Sequence, residues 1–412
     1  MACPPQPGGA GGGAVPLGRD DQRTIGEILR KSLPDYSRTH RLPAHHWKVL
    51  NALCRCRTAV LGGHLYRCGA CGGEHFAPHS CRNRHCPTCQ GANSQQWLAR
   101  QQAVLLPVPY FHLVFTLPHA LNALIGQNQA ALYNLLFAAA AETLLQFGRE
   151  KFGAQLGITA VLHTWGQTLV DHYHLHCIAS GGGLAADGAH WTTSHPRYLF
   201  AVAALSAVFR AKFCEGLQRL YGAGQLQFHG QLQGLAQPTD FQRLVRAATK
   251  TDWVVYSKRP FAGPEQVLAY LSRYTHRVGI SNGRILAFDP DEATVAFRYR
   301  DYADRSQCKA MTLSSAEFVR RLRLHILPAR FVKIRHYGLL ANRGRQTRIA
   351  AARRLLGQAD PPVEIKPVAT ASAAPAPAFA CPHCGKRELV LVRIVHPPRH
   401  RMSEPVAVLD SS

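Results

Sequence analysis

The segment Asp171-His-Tyr-His-Leu-His-Cys177 decides how the central part of this chain is expected to fold. His172, His174 and His176 alternate with other residues, and this period of two predicts a β-strand with all three imidazoles on one face. Converging imidazoles typically bind a metal ion, with a further histidine, a carboxylate or an amide oxygen completing the site. The segment therefore predicts a strand that carries metal ligands.

Segments on either side of this strand supply its partners. Residues 158–163 and 167–179 have the pattern of two paired strands, closed after Ser180 by three glycines, 181–183, which would let a DNA backbone come close. Residues 110–117 are rich in aromatic and β-branched side chains and predict a buried strand. Antiparallel strands with interspersed helices indicate an α+β fold, not a doubly wound parallel sheet.

A second hairpin is predicted later in the chain. Residues 284–288 and 294–300 are expected to pair around a turn at 289–291. In the second of these strands Arg298 and Arg300 alternate with apolar residues, which gives one cationic face. We expect these two arginines to contact DNA.

The composition favours a nucleic-acid partner. The 412 residues include 48 Lys and Arg against 24 Asp and Glu, a formal net charge of +24 that attracts a polyanion. The first thirteen residues lack the basic and apolar regions of a signal peptide. The most apolar stretch, residues 132–147, is interrupted by polar side chains, so it predicts a buried helix. We expect no membrane partner.

Clustered cysteines indicate metal binding. Seven of the thirteen cysteines lie between Cys54 and Cys89, and without a secretion signal such clustering favours a metal site over disulfides. Two Cys-x2-Cys pairs in this region are expected to hold one structural zinc ion in a tetrahedral site. The predicted ligands of this ion are Cys68, Cys71, Cys86 and Cys89.

A second zinc site is a hypothesis for the same region, and Cys54 competes for a place in it. The hypothesised ligands are Cys56, His64, Cys81 and His85. Arg82 and Arg84 stand beside these ligands and are expected to contact phosphates. The tail carries a further pair, Cys381 and Cys384, which is either an unpaired knuckle or a weak zinc site.

A predicted helix over residues 264–278 carries a tyrosine pair. Tyr270 and Tyr274 are one turn apart on the same face, and Arg273 and Arg277 are potential phosphate contacts on this helix. Core packing is the usual explanation of such a pair. A tyrosine hydroxyl beside a metal site can instead attack a phosphate and leave a covalent phosphotyrosine with a free 3′ hydroxyl.

The third metal ligand is left open by the spacing. His172 is the first choice beside His174 and His176, and Gln167 and Asp171 are the alternatives. We expect a divalent ion in this site and one or two structural Zn²⁺ ions elsewhere.

Shifts in composition divide the chain into six predicted regions. Arg335 and Arg343, in the fourth of them, are expected to contact phosphates. The regions are a disordered Gly/Pro-rich start (1–18), a zinc-binding DNA-recognition domain (20–100), a catalytic domain (105–310), a basic helical DNA-contact region (311–356), a Pro/Ala linker (357–380) and a C-terminal tail (381–412).

Several segments together resemble the HUH-type rolling-circle transposases of bacterial insertion sequences, specifically the insertion-sequence-91 family with two catalytic tyrosines. The likeness covers about residues 25–355, and its motifs occur in the family's order. They are Leu61-Gly-Gly-His64, Ser80-CRNRHCPTC-Gln90, His172-YHLHC with the glycines after it, Trp253-VVYSKRPF-Ala262, Val267-LAYLSRYTHRV-Gly279, Glu317-FVRR-Leu322 and Arg335-HYGLLAN-Arg343.

The resemblance implies an N-terminal zinc domain that binds element ends and an HUH endonuclease domain with a ferredoxin-like antiparallel sheet. It implies His174 and His176 as the histidine pair, Tyr270 and Tyr274 as nucleophiles, and Mg²⁺ or Mn²⁺ as the catalytic ion. Its substrate would be single-stranded or locally melted DNA at the element ends and the target, in the bacterial cytoplasm with the nucleoid. Two alternative functions are left open. One is a replication initiator or conjugative relaxase, and the other is a noncatalytic zinc-dependent nucleic-acid binder.

Overall fold

The computed structural model describes residues 24–102, 104–258, 266–267, 278–358 and 379–397. In the first part of the chain the elements are α1 (Ile25–Thr39), α2 (Ala44–Arg55), β1 (Gly63–Cys68), β2 (Glu74–Pro78), α3 (Pro87–Gln102), β3 (Tyr110–Thr116), α4 (Asn122–Gln127), α5 (Gln129–Phe152), β4 (Ala154–Trp165) and β5 (Asp171–Ala185). They continue with β6 (Trp191–Thr193), α6 (Val202–Gly222), α7 (Pro238–Thr249), β7 (Val255–Lys258), β8 (Ile285–Asp289), β9 (Thr294–Asp301), β10 (Gln307–Ser314), α8 (Ser315–Leu324), β11 (Ile334–Gly338), α9 (Arg345–Leu355) and β12 (Leu389–Val395).

The largest sheet is antiparallel and has the strand order β11-β4-β5-β3-β7, with β6 paired to β5. Four of its strands, β3, β4, β5 and β7, follow one another along the chain as β-α-β-β-α-β. Their order in space, β7-β3-β5-β4, is that of a ferredoxin-like sheet. The expected α+β fold with a ferredoxin-like antiparallel sheet is confirmed.

Alternation along β5 separates its two faces as predicted. Tyr173, Leu175 and Cys177 are buried in a core cluster that also contains α5 and α6 side chains. The histidines between them are therefore turned to the opposite face of the sheet. Burial of the apolar side chains of this strand fixes the direction in which its histidines point.

The three glycines have a different role from the one expected. They lie within β5, not after it, and β4 and β5 are joined by residues 166–170. All three are buried, and a Cβ on Gly182, whose φ is +129°, would be 2.3 Å from the carbonyl oxygen of Thr192. The absence of side chains here lets neighbouring strands approach each other, and no DNA backbone has access.

The basic region 311–356 is not a separate helical unit. Its strand β11 pairs with β4, from Ile334 opposite Val161 to Gly338 opposite Gly157. The largest sheet therefore extends beyond the predicted boundary at residue 310. The pattern of basic residues concealed this strand, because an edge strand can be short and rich in cationic side chains.

A second core joins the N-terminal helices to the predicted 284–300 hairpin. Strands β8, β9 and β10 form a sheet in the order β10-β9-β8, which confirms the pairing of 284–288 with 294–300. Its buried side chains Ile285 and Phe297 belong to one cluster with Ile28 of α1, Leu50 of α2 and Phe318 of α8. Residues 25–89 thus share a hydrophobic core with residues 280–326.

Helix α5 is long and apolar enough to cross a membrane by length and composition alone. Its Leu132, Tyr133, Leu136 and Phe137 are at most 1% exposed and pack in the main core. The prediction of a buried helix in this stretch is confirmed.

Candidate functional site

Three histidines from two strands converge on one point of the sheet. Candidate ligand nitrogens of His163 on β4 and of His174 and His176 on β5 lie within 4.8 Å of one another. The Nε2 atoms of His174 and His176 are 3.2 Å apart. Two neighbouring ligands of an ion with metal–nitrogen bonds of about 2.1 Å are separated by roughly 3 Å, so this pair can bind the same ion.

Hydrogen bonds at the Nδ1 atoms orient both β5 imidazoles. His174 Nδ1 lies 2.9 Å from the carbonyl oxygen of His172, to which it donates, and His176 Nδ1 lies 2.9 Å from Nε2 of His112 on β3. With Nδ1 protonated, each Nε2 keeps its lone pair for a metal. Burial lowers the pKa of His174 to about 3, which keeps this ligand neutral.

The third histidine of the cluster is His163, not the predicted His172. His163 is the direct antiparallel partner of His174, which places both side chains on the same face. His172 Nδ1 instead lies 3.4 Å from Nε2 of His119, at the edge of the same cleft. Sequence reasoning missed His163 because its place beside His174 depends on the register of two strands.

Neither of the two alternative third ligands reaches the cluster. The side-chain amide of Gln167 donates to the Tyr302 hydroxyl at 3.2 Å. The Asp171 carboxylate accepts from the Tyr173 hydroxyl, on the opposite face of the sheet. Burial raises the pKa of Asp171, and the nearby carboxylate in turn helps raise the pKa of Tyr173.

The histidines lie in an open cleft of about 700 Å³. One wall is the sheet face, and the other includes Arg298, Tyr299 and Arg300 of β9. The Nε atom of Arg300 is buried without a hydrogen-bond partner in the described residues. Both arginines of the predicted cationic face therefore line the same cleft as the three-histidine cluster.

A second group of exposed side chains continues the histidine face toward the sheet edge. Val114 of β3 is paired with His176 on one side and with Tyr256 on the other, so all three side chains share one face. Lys258 is paired with His112 and shares it too. Tyr256 and Lys258 are exposed, and they were not among the residues expected to contact DNA.

The cysteines form two groups, and the predicted grouping is wrong. Cys86 and Cys89 lie with Cys56 and Cys81, whereas Cys68 and Cys71 lie with Cys381 and Cys384 of the tail. In the first group sulfur–sulfur distances of 3.5–3.7 Å connect Cys56, Cys81, Cys86 and Cys89. A tetrahedral zinc ion with bonds of about 2.3 Å to sulfur separates its ligands by about 3.8 Å, so the group fits zinc.

The two histidines of the hypothesised second zinc site have other partners. His64 packs its ring against Tyr66 and His79 on the β1–β2 sheet. His85 Nε2 accepts from the backbone N–H of Leu327 at 3.1 Å, and burial lowers the pKa of His85 to about 3. The neutral His85 side chain therefore connects the loop between Cys81 and Cys86 to the segment before β11.

Family models match two parts of the chain. One described as "Putative transposase" matches residues 157–348, and one described as "Transposase zinc-binding domain" matches residues 28–117. "Putative transposase y4qJ" of Sinorhizobium fredii is 45% identical over 82% of this chain and 85% of that protein. "Transposase for insertion sequence element IS801" of Pseudomonas savastanoi is 31% identical over 72% of this chain and 70% of that protein. This chain belongs to the insertion-sequence-91 transposase family.

Among solved structures, those of the conjugative relaxase TrwC with oriT DNA match this transposase. One is 19% identical and covers 42% of this chain and 74% of the relaxase chain, with a TM-score of 0.23. A metal-bound structure of the same relaxase covers 42% of this chain and 73% of the relaxase chain, with a TM-score of 0.23.

The arginines predicted to bind DNA outside β9 differ in their contacts in the transposase. Arg82, Arg84 and Arg343 are exposed. Arg84 donates to the carbonyl oxygens of Pro328 and Phe331, and Arg335 donates to Asn134 Oδ1 while its guanidinium lies 4.2 Å from the Phe137 ring centroid. Arg84 and Arg335 therefore make contacts inside the protein. The remaining predictions, Tyr270, Tyr274, Arg273 and Arg277, lie outside the described residues.

We expect His112→Ala to weaken metal binding by the transposase about 10- to 100-fold, the usual effect of losing an outer hydrogen bond to a ligand. Burial lowers the pKa of His112 to about 3, so its neutral Nε2 accepts from His176 Nδ1. Calorimetric titration with Mn²⁺ would measure the loss. His119→Ala is the matched control, and equal affinities for wild type and His112→Ala would contradict the role of His112.

Proposed function

We propose that this transposase cleaves and rejoins single-stranded or locally melted DNA at the ends of its insertion sequence. The observation that carries this proposal is the convergence of His163, His174 and His176 on the floor of a cleft whose other wall is cationic. Three imidazoles in an open site suit a metal that keeps free positions for a substrate. The net charge of +24 favours a polyanionic substrate.

The donor set is compatible with a divalent ion. Three nitrogen ligands suit a transition metal such as Mn²⁺ better than Mg²⁺, which prefers oxygen. When bound, the ion would polarise the scissile phosphate and offset the charge that develops on it. Arg298 and Arg300 would hold the DNA backbone against the sheet, since guanidinium groups match phosphate geometry.

Exposed side chains at the edge of the sheet suit a single strand. Tyr256 would stack on a base, and Lys258 would contact the adjoining phosphate. Both lie on the histidine face, two strands from His176. A single strand lying from β7 toward β5 would therefore reach the metal-ligating cluster.

Tyr270 and Tyr274 are the proposed nucleophiles. The tyrosine oxygen forms a bond to phosphorus, the bond from phosphorus to the 3′ oxygen breaks, and that oxygen takes up a proton while the phenol loses one. The resulting 5′-phosphotyrosine stores the energy needed for rejoining, and two tyrosines permit two successive strand transfers. Val278, four residues after Tyr274, lines the cleft, and four residues of chain span at most about 14 Å.

The tyrosine proposal is tested with Tyr270→Phe, Tyr274→Phe and the double variant. We expect the double variant to form no covalent adduct with a labelled single-stranded element end, because phenylalanine has no nucleophilic oxygen. Denaturing gel electrophoresis measures the adduct, and Tyr198→Phe, which changes an exposed tyrosine absent from the cleft lining, is the control. An adduct of normal yield in the double variant would exclude these nucleophiles, and metal-dependent nicking would exclude a noncatalytic binder.

A further inference from the structure

The last described residues of the chain return to its N-terminal part. Strand β12 pairs with β1 in antiparallel register, from Val395 opposite Gly63 to Leu389 opposite Cys68. β1 thereby becomes the central strand of a sheet with the order β12-β1-β2. The tail thus completes a sheet whose other two strands lie more than 300 residues earlier in the sequence.

Two matching knuckles face each other beside this sheet. In one, Gly72 N–H donates to the Cys68 carbonyl at 2.8 Å, and in the other Gly385 N–H donates to the Cys381 carbonyl at 2.8 Å. Gly72 and Gly385 have φ values of +70° and +73°, which favour glycine. A Cys-x2-Cys-Gly turn of this kind directs two thiols toward one point.

The four sulfurs are spaced for a metal ion. Cys68 Sγ lies 3.6 Å from Cys384 Sγ, and Cys71 Sγ lies 3.7 Å from Cys381 Sγ. A disulfide requires about 2.05 Å, whereas tetrahedral zinc–thiolate coordination requires about 3.8 Å. We propose that Cys68, Cys71, Cys381 and Cys384 bind a second structural zinc ion, which ties the C-terminal tail to the N-terminal zinc-binding module.

Packing around the four cysteines indicates a preformed metal-binding site. Cys68, Cys381 and Leu389 form a small buried cluster with Tyr66 packed against it. A Cβ on Gly73 would be 2.8 Å from Cδ2 of His383, so the two knuckles fit closely. The matched zinc-binding family model ends at residue 117, and the tail ligands lie far beyond it. The zinc-binding module therefore includes residues 381–395 of the tail as well as its N-terminal residues.

Cobalt substitution tests the metal site. Cobalt bound by thiolates gives a sulfur-to-metal absorption band that a histidine site does not give. We expect Cys381→Ser/Cys384→Ser to lose about half of this band in the full chain, because one of two four-thiolate sites is removed. Cys214→Ser, whose thiol belongs to neither group, should keep the full band. A full band in the double variant would overturn the proposal.

Thiol labelling tests the same four-cysteine site in the wild-type protein. Cys71 and Cys384 are exposed, so without a metal they should react at once with an alkylating reagent. We expect both to resist alkylation in the zinc-loaded protein and to react after a chelator removes zinc. Immediate alkylation of the zinc-loaded protein would overturn the proposal.

Release of the tail tests the connection between the chain ends. A protease site inserted in the Pro/Ala-rich stretch 361–377 allows the full-length protein to be cut after folding. We expect the tail to co-elute with the rest of the zinc-loaded protein and to separate after chelation or in Cys381→Ser/Cys384→Ser. A tail that stays bound without zinc, or leaves with zinc present, would overturn the proposal. None of these measurements depends on DNA cleavage.

Discussion

His163→Ala is expected to lower the rate of element-end cleavage by at least about a hundredfold, because it removes a proposed direct ligand of the metal that would polarise the scissile phosphate. His163 is the strand partner of His174 and 3% exposed. His172→Ala should have a much smaller effect, since its imidazole pairs with His119. Single-turnover cleavage of a labelled single-stranded element end, at several Mn²⁺ concentrations, measures both variants.

Thermal denaturation separates loss of metal from loss of fold in this comparison. With structural zinc bound and Mn²⁺ absent, the His163→Ala protein should melt as the wild type does, and excess Mn²⁺ should restore part of its activity. A His172→Ala variant that loses as much activity as His163→Ala would restore His172 as the third ligand. Equal activity of wild type and His163→Ala would exclude the three-histidine site.

Cys86→Ser is expected to lower the free energy of unfolding by more than about 3 kcal/mol, because a structural zinc site contributes folding energy directly. Cys56, Cys86 and Cys89 belong to the core cluster that contains Ile28 of α1 and Phe297 of β9. Loss of this zinc should therefore disturb the wall of the cleft. Zinc content per chain, thermal denaturation and soluble yield measure the effect.

Cys54→Ser is the matched control for Cys86→Ser. Cys54 packs against the same cluster but belongs to neither cysteine group, and burial raises the pKa of its thiol to about 11, so it stays protonated. The control should keep its zinc and its melting temperature. A Cys86→Ser protein with wild-type zinc content and melting temperature would show that this group holds no structural zinc.

The connection between the zinc-binding module and the cleft is made by side chains as well as by the shared core. Pro87 and Gln90, beside the zinc ligands, line the cleft. Asn282 donates to Thr88 Oγ1 at 3.1 Å and accepts from the backbone N–H of Ile25 at 3.1 Å. A module predicted as a separate DNA-recognition domain thus contributes to the cleft that contains the three-histidine cluster.

Local patterns were sufficient to predict several features of the site. Alternation at 172–176 gives a strand with histidines on one face wherever the strand lies, because side chains alternate along any β-strand. The pairing of 284–288 with 294–300 also follows from local sequence, since a short turn joins the two strands. Each Cys-x2-Cys turn can likewise be recognised without knowledge of its partner.

By itself, therefore, the sequence determined the strand that carries His174 and His176, the cationic strand with Arg298 and Arg300, and the presence of cysteine knuckles. Only the tertiary structure decided that His163 completes the histidine cluster and that Cys68 and Cys71 face the tail. The physical reason is that each of these choices joins residues on different segments. Strand register and packing between distant parts of the chain bring such residues together. The spacing of residues within one segment does not predict these contacts.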